Sequence, residues 1–379
     1  MTGKPRIGFY CSSKSYGGLE INILRILEWL GDRGWDILFF GLPATPLVMN
    51  AEKKNLKIIH VKDNHKYADI QAARRLSGVL ETEHINMLFI GTNKDISLGA
   101  LVKTYFNRNL KLIYHQQMQI GIHKKDLLHT WRFSRLDAWI SPLKFLAKEI
   151  EHRTRFNPEK IHVIPLCIDT GIFSQNSLTK EEARKMLKLP QNRKILGILG
   201  RIDPLKGQDF LIEAIHLLKK QKVETDLLIM GAKTLNTSDD YFDLLKKKIV
   251  DLELEDHIHF RPFTENTVQF YKAIDVFAMA TDRETFGMVT IEAMASGVPV
   301  IGNNSGGTPE ILGNGKFGVL YDPGSLEDFT KKFISLISHP AMLKEISTRA
   351  KKEVCDNYDK DTECTGFEKL ILKLQPEKQ

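Results

Sequence analysis

The chain has 379 residues, 42% of them hydrophobic and 27% charged, and carries a net charge of +7. That length exceeds what one hydrophobic core usually covers, so two domains are expected. The composition is that of a soluble globular protein without low-complexity tracts, and the positive balance points to anionic partners: phosphates, nucleic acid or an anionic membrane face.

Cys11, Cys167, Cys355 and Cys364 are scattered, with no CxxC pair, and are expected to be reduced, packed thiols. The opening MTGKPRIGFYCSS has no long apolar core, so no secretory leader is expected. No window approaches the roughly 18 uninterrupted apolar residues of a membrane span. A cytoplasmic protein is expected.

Taken in order, Arg6–Cys11 reads as a strand and Leu19–Leu30 as a helix, with Leu19, Ile23, Ile26, Leu27 and Leu30 on one face. Strands are predicted at Trp35–Gly41, Leu56–Val61, Met87–Gly91 and Leu110–His115, and helices at Ile70–Thr82 and Ile96–Phe106. The pattern loosens from Gln116 to Arg135. It resumes with a strand at Ala138–Ser141, a helix from Leu143 and a strand at Ile161–Ile164. Pro165–Lys180 reads as an irregular domain crossing rich in turn residues.

A second alternation follows a short helix at Lys180–Leu187. Strands are predicted at Lys194–Leu199, Asp226–Gly231, Ile258–Phe260, Asp275–Ala280, Val298–Gly302 and Gly318–Tyr321. Helices are predicted at Gln208–Gln221, Tyr241–Leu252, Val268–Ala273, Met288–Met294, Leu326–Ser338, Pro340–Asn357 and Thr365–Leu374. Pro376–Gln379 should fray. Strands alternating with helices mean βαβ units and two doubly wound parallel sheets, whose ligands bind beyond the carboxyl ends of the strands.

Four clusters fall at such ends. Gly17-Gly18, before the first helix, is either a tight turn or a place where backbone approaches a ligand at a helix N-terminus. His115 ends the fifth strand and serves packing or chemistry. Arg201 and Lys206 share the glycine-bounded loop Gly200–Gly207, where a fork and a point charge can clamp a diphosphate; a solvated loop is the alternative. Glu284 and Glu292 lie in DRETFGMVTIEAMASGVPVIGNNSGGTPEIL. They fit a hydrolytic carboxylate pair, hydroxyl acceptors or salt-bridged structure. In the same stretch Thr308 is placed as an N-cap and Pro309 as the first helical residue, so two helix N-termini are offered to an anion.

Several chemistries lack their pattern. No GxGxxG follows the first strand, and no Walker loop, GxSxG or HExxH is present. Asp359-Lys360-Asp361 and Asp239-Asp240 read as solvated turns, and no metal site is expected.

Together the clusters resemble retaining glycosyltransferase family 4 of the two-domain GT-B fold. The resemblance runs from Ile7 to about Tyr358 and rests on Gly17, Gly18 and Glu20, on GR-x4-KG at Gly200–Gly207, on Glu284 and Glu292, and on ETFG, EAMASGVPVI and GGTPEI. It implies two Rossmann-like domains facing across a cleft: an acceptor-side domain at 1–168, a donor domain at 169–358, and a C-terminal helix at 359–379 packing back on the first. It implies that Arg201 and Lys206 hold the donor diphosphate and that Glu292 takes the ribose hydroxyls. Glu284 with the backbone of Phe286, Gly287 and Met288 would contact the sugar and phosphate. Gly17 and Gly18 would close over the diphosphate, His115 would lie near the transferred sugar, and the loop at Arg261 and Pro262 would border the base.

The implied reaction moves a hexose-type sugar, with retention and without metal or other cofactor, from a UDP- or GDP-sugar to a saccharide or lipid-linked acceptor. A polysaccharide or cell-envelope setting is implied, and no nucleic acid partner. The chain departs from the usual pattern at Ala280-Thr281, at Thr285 and at Pro262, which touches donor identity rather than reaction class. A sugar-nucleotide epimerase or hydrolase, or a binding protein without turnover, is the alternative. Lys124–Arg135, basic and aromatic, reads either as a patch resting on anionic lipid at the inner membrane face or as an amphipathic helix packed on its own domain.

Overall fold

Apolar runs of three to six residues build a parallel sheet in each half of the chain. The computed structural model describes residues 4–175, 177–232 and 240–375. Pro376–Gln379 and the side chains of Asp239 and Asp240 lie outside the described residues. The chain divides into two units: Met1–Leu166 with Lys360–Gln379, and Cys167–Asp359.

In the first unit β1 (Ile7–Cys11), β2 (Ile37–Gly41), β3 (Ile58–His60), β4 (Met87–Ile90), β5 (Lys111–His115), β6 (Ala138–Ser141) and β7 (Ile161–Val163) take the order β3-β2-β1-β4-β5-β6-β7. Every residue of β1, β4 and β6 is buried. Helices cover both faces of the sheet, so these strands read as continuous apolar runs without alternation. On one face, helices Gly18–Asp32 and Lys360–Leu374 set Ile26, Leu27, Phe367 and Leu370 against Phe9 and Phe89. On the other, helices Ile70–Thr82, Ile96–Tyr105 and Leu127–Ser134 set Leu76, Val102 and Phe133 against Phe40, Leu88 and Trp139.

In the second unit β8 (Lys194–Leu199), β9 (Thr225–Met230), β10 (Ile258–Arg261), β11 (Val276–Met279), β12 (Val300–Asn303) and β13 (Val319–Tyr321) take the order β10-β9-β8-β11-β12-β13. The order reverses direction between β1 and β4 in the first sheet and between β8 and β11 in the second. At such points neighbouring loops leave toward opposite faces and open a crevice at the carboxyl edge.

Local chemistry explains where the elements differ from the sequence reading. Helix Pro46–Lys53 is additional; Thr45 caps it by accepting from Val48 N, and Pro46 stands at its first position. The loosened stretch holds helix Leu127–Ser134, capped by Asp126. The crossing holds helix Thr170–Ser174, capped by Asp169. Thr308 is not a cap: Gly307 takes that position, its N–H donating to Glu284 O at 2.7 Å, and Thr308 is the first helical residue with its side chain buried. The DxD string is bonded rather than merely solvated. Asp359 accepts from Thr170 N at 3.2 Å and Thr170 Oγ1 at 2.5 Å, and Asp361 accepts from Arg33 at 2.6 Å.

Candidate active site

In the second unit the exits of β9 and β11 each lie against the chain leaving β8, at glycines. A Cβ on Gly231 would lie 1.8 Å from Gly200 O, and one on Gly207 would lie 2.7 Å from Ala280 O. Gly200 and Gly207 have φ of +154° and +78°, conformations that side chains disfavour. Between them Asp203 accepts from Leu205 N at 3.0 Å and opens the short turn Pro204–Lys206, while the Gln208 amide donates to Arg201 O at 2.8 Å. The result brings Lys206 Nζ to 3.1 Å from Glu284 Oε2. Arg201 is exposed and has no ion-pair partner among the described residues.

Glu284 is held at three atoms. Oε1 accepts from Thr285 N at 3.0 Å, Oε2 faces Lys206, and its backbone carbonyl accepts from Gly307 N. Gly306, with φ of +61°, would place a Cβ 2.4 Å from that carbonyl, so the second glycine turn must lie flat against Glu284. Phe286 is buried, its ring 6.1 Å from Tyr358. Gly287, with φ of +88°, precedes helix Met288–Ala295 and offers no capping side chain. Glu292, one turn into that helix, is buried and accepts from Tyr271 OH at 3.0 Å; that hydroxyl also lies 3.1 Å from Val289 O. The two carboxylates thus have different anchors, a lysine and a tyrosine.

The Arg261 side chain is engaged by backbone carbonyls. Its guanidinium donates to Leu187 O at 2.6 Å, Lys188 O at 2.9 Å and Phe260 O at 2.7 Å, which ties off helix Lys180–Met186. Free carbonyls at a helix C-terminus attract a cation, and that interaction has captured it. Backbone remains at the edge: Arg261 O accepts from Gly231 N at 3.0 Å, and Pro262 is exposed.

In the first unit Glu20 organises the loop after β1. It accepts from Gly17 N at 2.8 Å and from the Ser13 hydroxyl. Gly17 has an extended backbone, and a Cβ on Gly18 would meet nothing within 4 Å. Neither glycine is required by local strain. Across the reversal point the buried Asp95 carboxylate accepts from Ser12 N at 2.9 Å, Ser12 Oγ at 2.5 Å and Thr92 Oγ1 at 2.7 Å; burial raises its pKa and these donors oppose the rise. His115 is 1% exposed, edge-on to Phe367 at 5.1 Å, with neither ring nitrogen hydrogen-bonded among the described residues. Burial lowers its pKa to about 4, so the imidazole is neutral near pH 7. Gln117, two residues on, accepts from Asn22 at 3.1 Å.

The Lys124–Arg135 stretch does not present all its cations to a surface. Arg132 is 0% exposed, its guanidinium 5.5 Å from the Tyr67 ring and 5.6 Å from that of Phe133, donating to Asn93 O. Its Nε and Nη1 are buried without partners. Two such cation–π contacts contribute on the order of 1–3 kcal/mol, less than the several kcal/mol that removing a charge from water costs. Apolar exposure is instead found at Met118, Ile122, Leu127 and Leu128. No helix among the described residues is long and apolar enough to cross a membrane, and no described cluster of His, Cys, Asp and Glu could hold a metal ion.

Residues 179–353 match the family model "Glycosyl transferases group 1", and residues 16–171 match "Glycosyltransferase Family 4". The chain belongs to glycosyltransferase family 4. Over 202 residues this family 4 chain is 31% identical to the D-inositol 3-phosphate glycosyltransferase of Segniliparus rotundus, a match covering 52% of the chain but only 44% of that relative. It is 22% identical to the N-acetyl-alpha-D-glucosaminyl L-malate synthase of Bacillus anthracis over 98% of the chain and 97% of that protein. Among solved structures, a glycosyltransferase from Rickettsia africae aligns over the whole of both chains with a TM-score of 0.89 at 18% identity. Anabaena HepE in complex with UDP and glucose aligns with a TM-score of 0.82 at 20% identity, over 97% of this chain and 99% of that one. The fold of the family 4 chain is GT-B, with a doubly wound parallel sheet in each domain.

Sequence reasoning brought Arg201, Lys206, Glu284 and Glu292 forward by spacing, and the second unit places the first three at one reversal point. It passed over Tyr271, Gly231, Gln208 and Asp95. Tyr271, Gly231 and Asp95 act through contacts between distant segments, and Gln208 through its bond to Arg201 O within the same loop; nothing in the local pattern marks them.

Proposed function

We propose that this protein is a retaining, metal-independent glycosyltransferase that moves a hexose-type sugar from a UDP- or GDP-sugar to a saccharide or lipid-linked acceptor in cell-envelope or polysaccharide assembly. The observation that carries the reading is the Lys206–Glu284 pair at the β8/β11 reversal point, with Arg201 in the same loop. When a nucleoside diphosphate departs, negative charge grows on its phosphates. Fixed cations and helix N-termini already aimed there stabilise the transition state more than the ground state. Arg201 and Lys206 supply that charge from the protein itself, which supports transfer without a divalent ion. Glu284 accepts from the sugar hydroxyls and Glu292 from the ribose. The exposed Pro262 backbone, rather than the Arg261 side chain, borders the base. Relatives support the donor class: HepE is solved with UDP-glucose, and a Mycolicibacterium smegmatis relative is described as GDP-mannose-dependent.

The test is incubation with a panel of UDP- and GDP-sugars, with and without saccharide and glycolipid acceptors. Acceptor-dependent release of nucleoside diphosphate, undiminished by a chelator, with the donor's anomeric configuration kept in the product, is expected. Release independent of acceptor would identify a hydrolase or epimerase instead. Binding without turnover across the panel would identify a binding protein.

A further inference from the structure

The first unit contains positive charge that its own structure leaves uncompensated. Arg132, from helix Leu127–Ser134, is fully buried, and Nε and Nη1 have no partner among the described residues. The carboxylate whose field reaches it, Asp126, is an exposed helix cap hydrogen-bonded to His129. A second cation approaches the same aromatic ring: Lys66 Nζ lies 5.2 Å from the centre of Tyr67, and Arg132 lies 5.5 Å from it. Lys124 is a third. It is half-buried, and its charge is disfavoured by burial, by Arg132 and by Lys66. Neither lysine has a carboxylate partner among the described residues, whereas nearby Lys14 and Lys94 are both paired with Asp63.

Mutual repulsion among three cations, one of them desolvated, disfavours the arrangement unless an anion lies among them. Tyr67 supplies an apolar wall, and the exposed Lys66 with the half-buried Lys124 forms the accessible side. We propose that Lys66 and Lys124, backed by the buried Arg132, form an anion subsite for a phosphate group on the acceptor. The subsite rests on the glycosyltransferase reading only for the word acceptor. As a phosphate site in the first unit it stands on these residues alone.

The experiment is titration of the full-length protein with inorganic phosphate and with glucose 6-phosphate, read by calorimetry and melting temperature, at low ionic strength. Vesicles of phosphatidylcholine with and without phosphatidylinositol form a second arm. Saturable phosphate binding is expected, weakened at least tenfold in the Lys66→Ala/Lys124→Ala double variant and retained in Lys206→Ala. Arg132→Met keeps an unbranched apolar stem against Tyr67 and Phe133; it should fold, as read by circular dichroism, and bind phosphate more weakly. Dependence of the soluble ligands on the lysine pair marks a free phosphate ester. Dependence confined to phosphatidylinositol vesicles marks a lipid headgroup, and either supports the subsite. Absence of saturable binding in both arms would overturn it, as would loss in Lys206→Ala with retention in the double variant. Binding of UDP and GDP is measured in parallel. Its absence from the wild type would sink the donor reading while phosphate binding that depends on Lys66 and Lys124 would still uphold the subsite.

Discussion

Lys206 Nζ and Glu284 Oε2 lie 3.1 Å apart, although 77 residues separate them in the chain and they leave different strands of one sheet. Each fixes the other. If the pair grips a donor, loss of either member removes a positioned charge and frees its partner. Lys206→Ala and Glu284→Ala should each lower kcat by about 10²-fold or more. The double variant should lose less than the product of the two, because the residues share one contact. Steady-state transfer kinetics check this, and near-normal turnover in both single variants would refute the assignment.

His115 offers a pH signature. Its folded pKa is about 4, below the ordinary histidine value, because burial penalises the imidazolium. Between these values the unfolded chain binds a proton that the folded chain rejects. The associated stability is therefore complete above about pH 6.5 and is lost as pH falls toward 4; at pH 5 the loss is on the order of 2 kcal/mol. Urea unfolding at pH 7.5 and pH 5 should show this difference in the wild type and a smaller one in His115→Gln. An unchanged pH dependence in the variant would remove the claim.

Arg184 ties the amino-terminal edge of the second sheet together. It is buried and donates to Ala273 O at 2.9 Å, Gln191 O at 2.8 Å and Asp275 Oδ2 at 2.7 Å. Arg184→Met should destabilise the second unit by about 3 kcal/mol, since removing one partner leaves buried acceptors unpaired. Burial alone would raise the Asp275 pKa, but Lys180, the Ile195 N–H and Arg184 outweigh it and hold it below the usual value. Its contribution is present above the unfolded pKa and lost as pH falls through the folded one. Acid unfolding of the variant should therefore depend less on pH below about 4.

Gly231→Ala tests whether the strand exits must touch. Its Cβ would lie 1.8 Å from Gly200 O, a contact only backbone movement can relieve. A loss of roughly 2 kcal/mol is expected from such overpacking, together with a fall in kcat as Arg201 and Lys206 shift. Wild-type kinetics in a folded variant would show that the approach is incidental.

Gly18→Ala makes the opposite case. The added methyl would meet nothing within 4 Å and stands at the first position of a helix, so stability should hold or rise by up to about 1 kcal/mol. If the front of this helix receives the diphosphate, donor KM should increase nonetheless. Unchanged KM would leave Gly18 as an ordinary turn residue.

By itself the sequence determined the architecture. Apolar runs of strand length alternating with helical periodicity admit two doubly wound sheets, and that information is local. It also determined which residues stand beyond strand ends, since strand and loop lengths place Arg201, Lys206 and Glu284 there. Tertiary structure alone decided how those residues are engaged. The carbonyls at the end of helix Lys180–Met186 claim the Arg261 guanidinium. Arg132 looked like a lipid-facing cation, but its helix turns it under Tyr67. Tyr271, which anchors Glu292 from 21 residues away, had no local mark at all. A side chain's partner depends on which distant segments the fold brings within about 3 Å of it; periodicity and spacing describe only its neighbours along the chain.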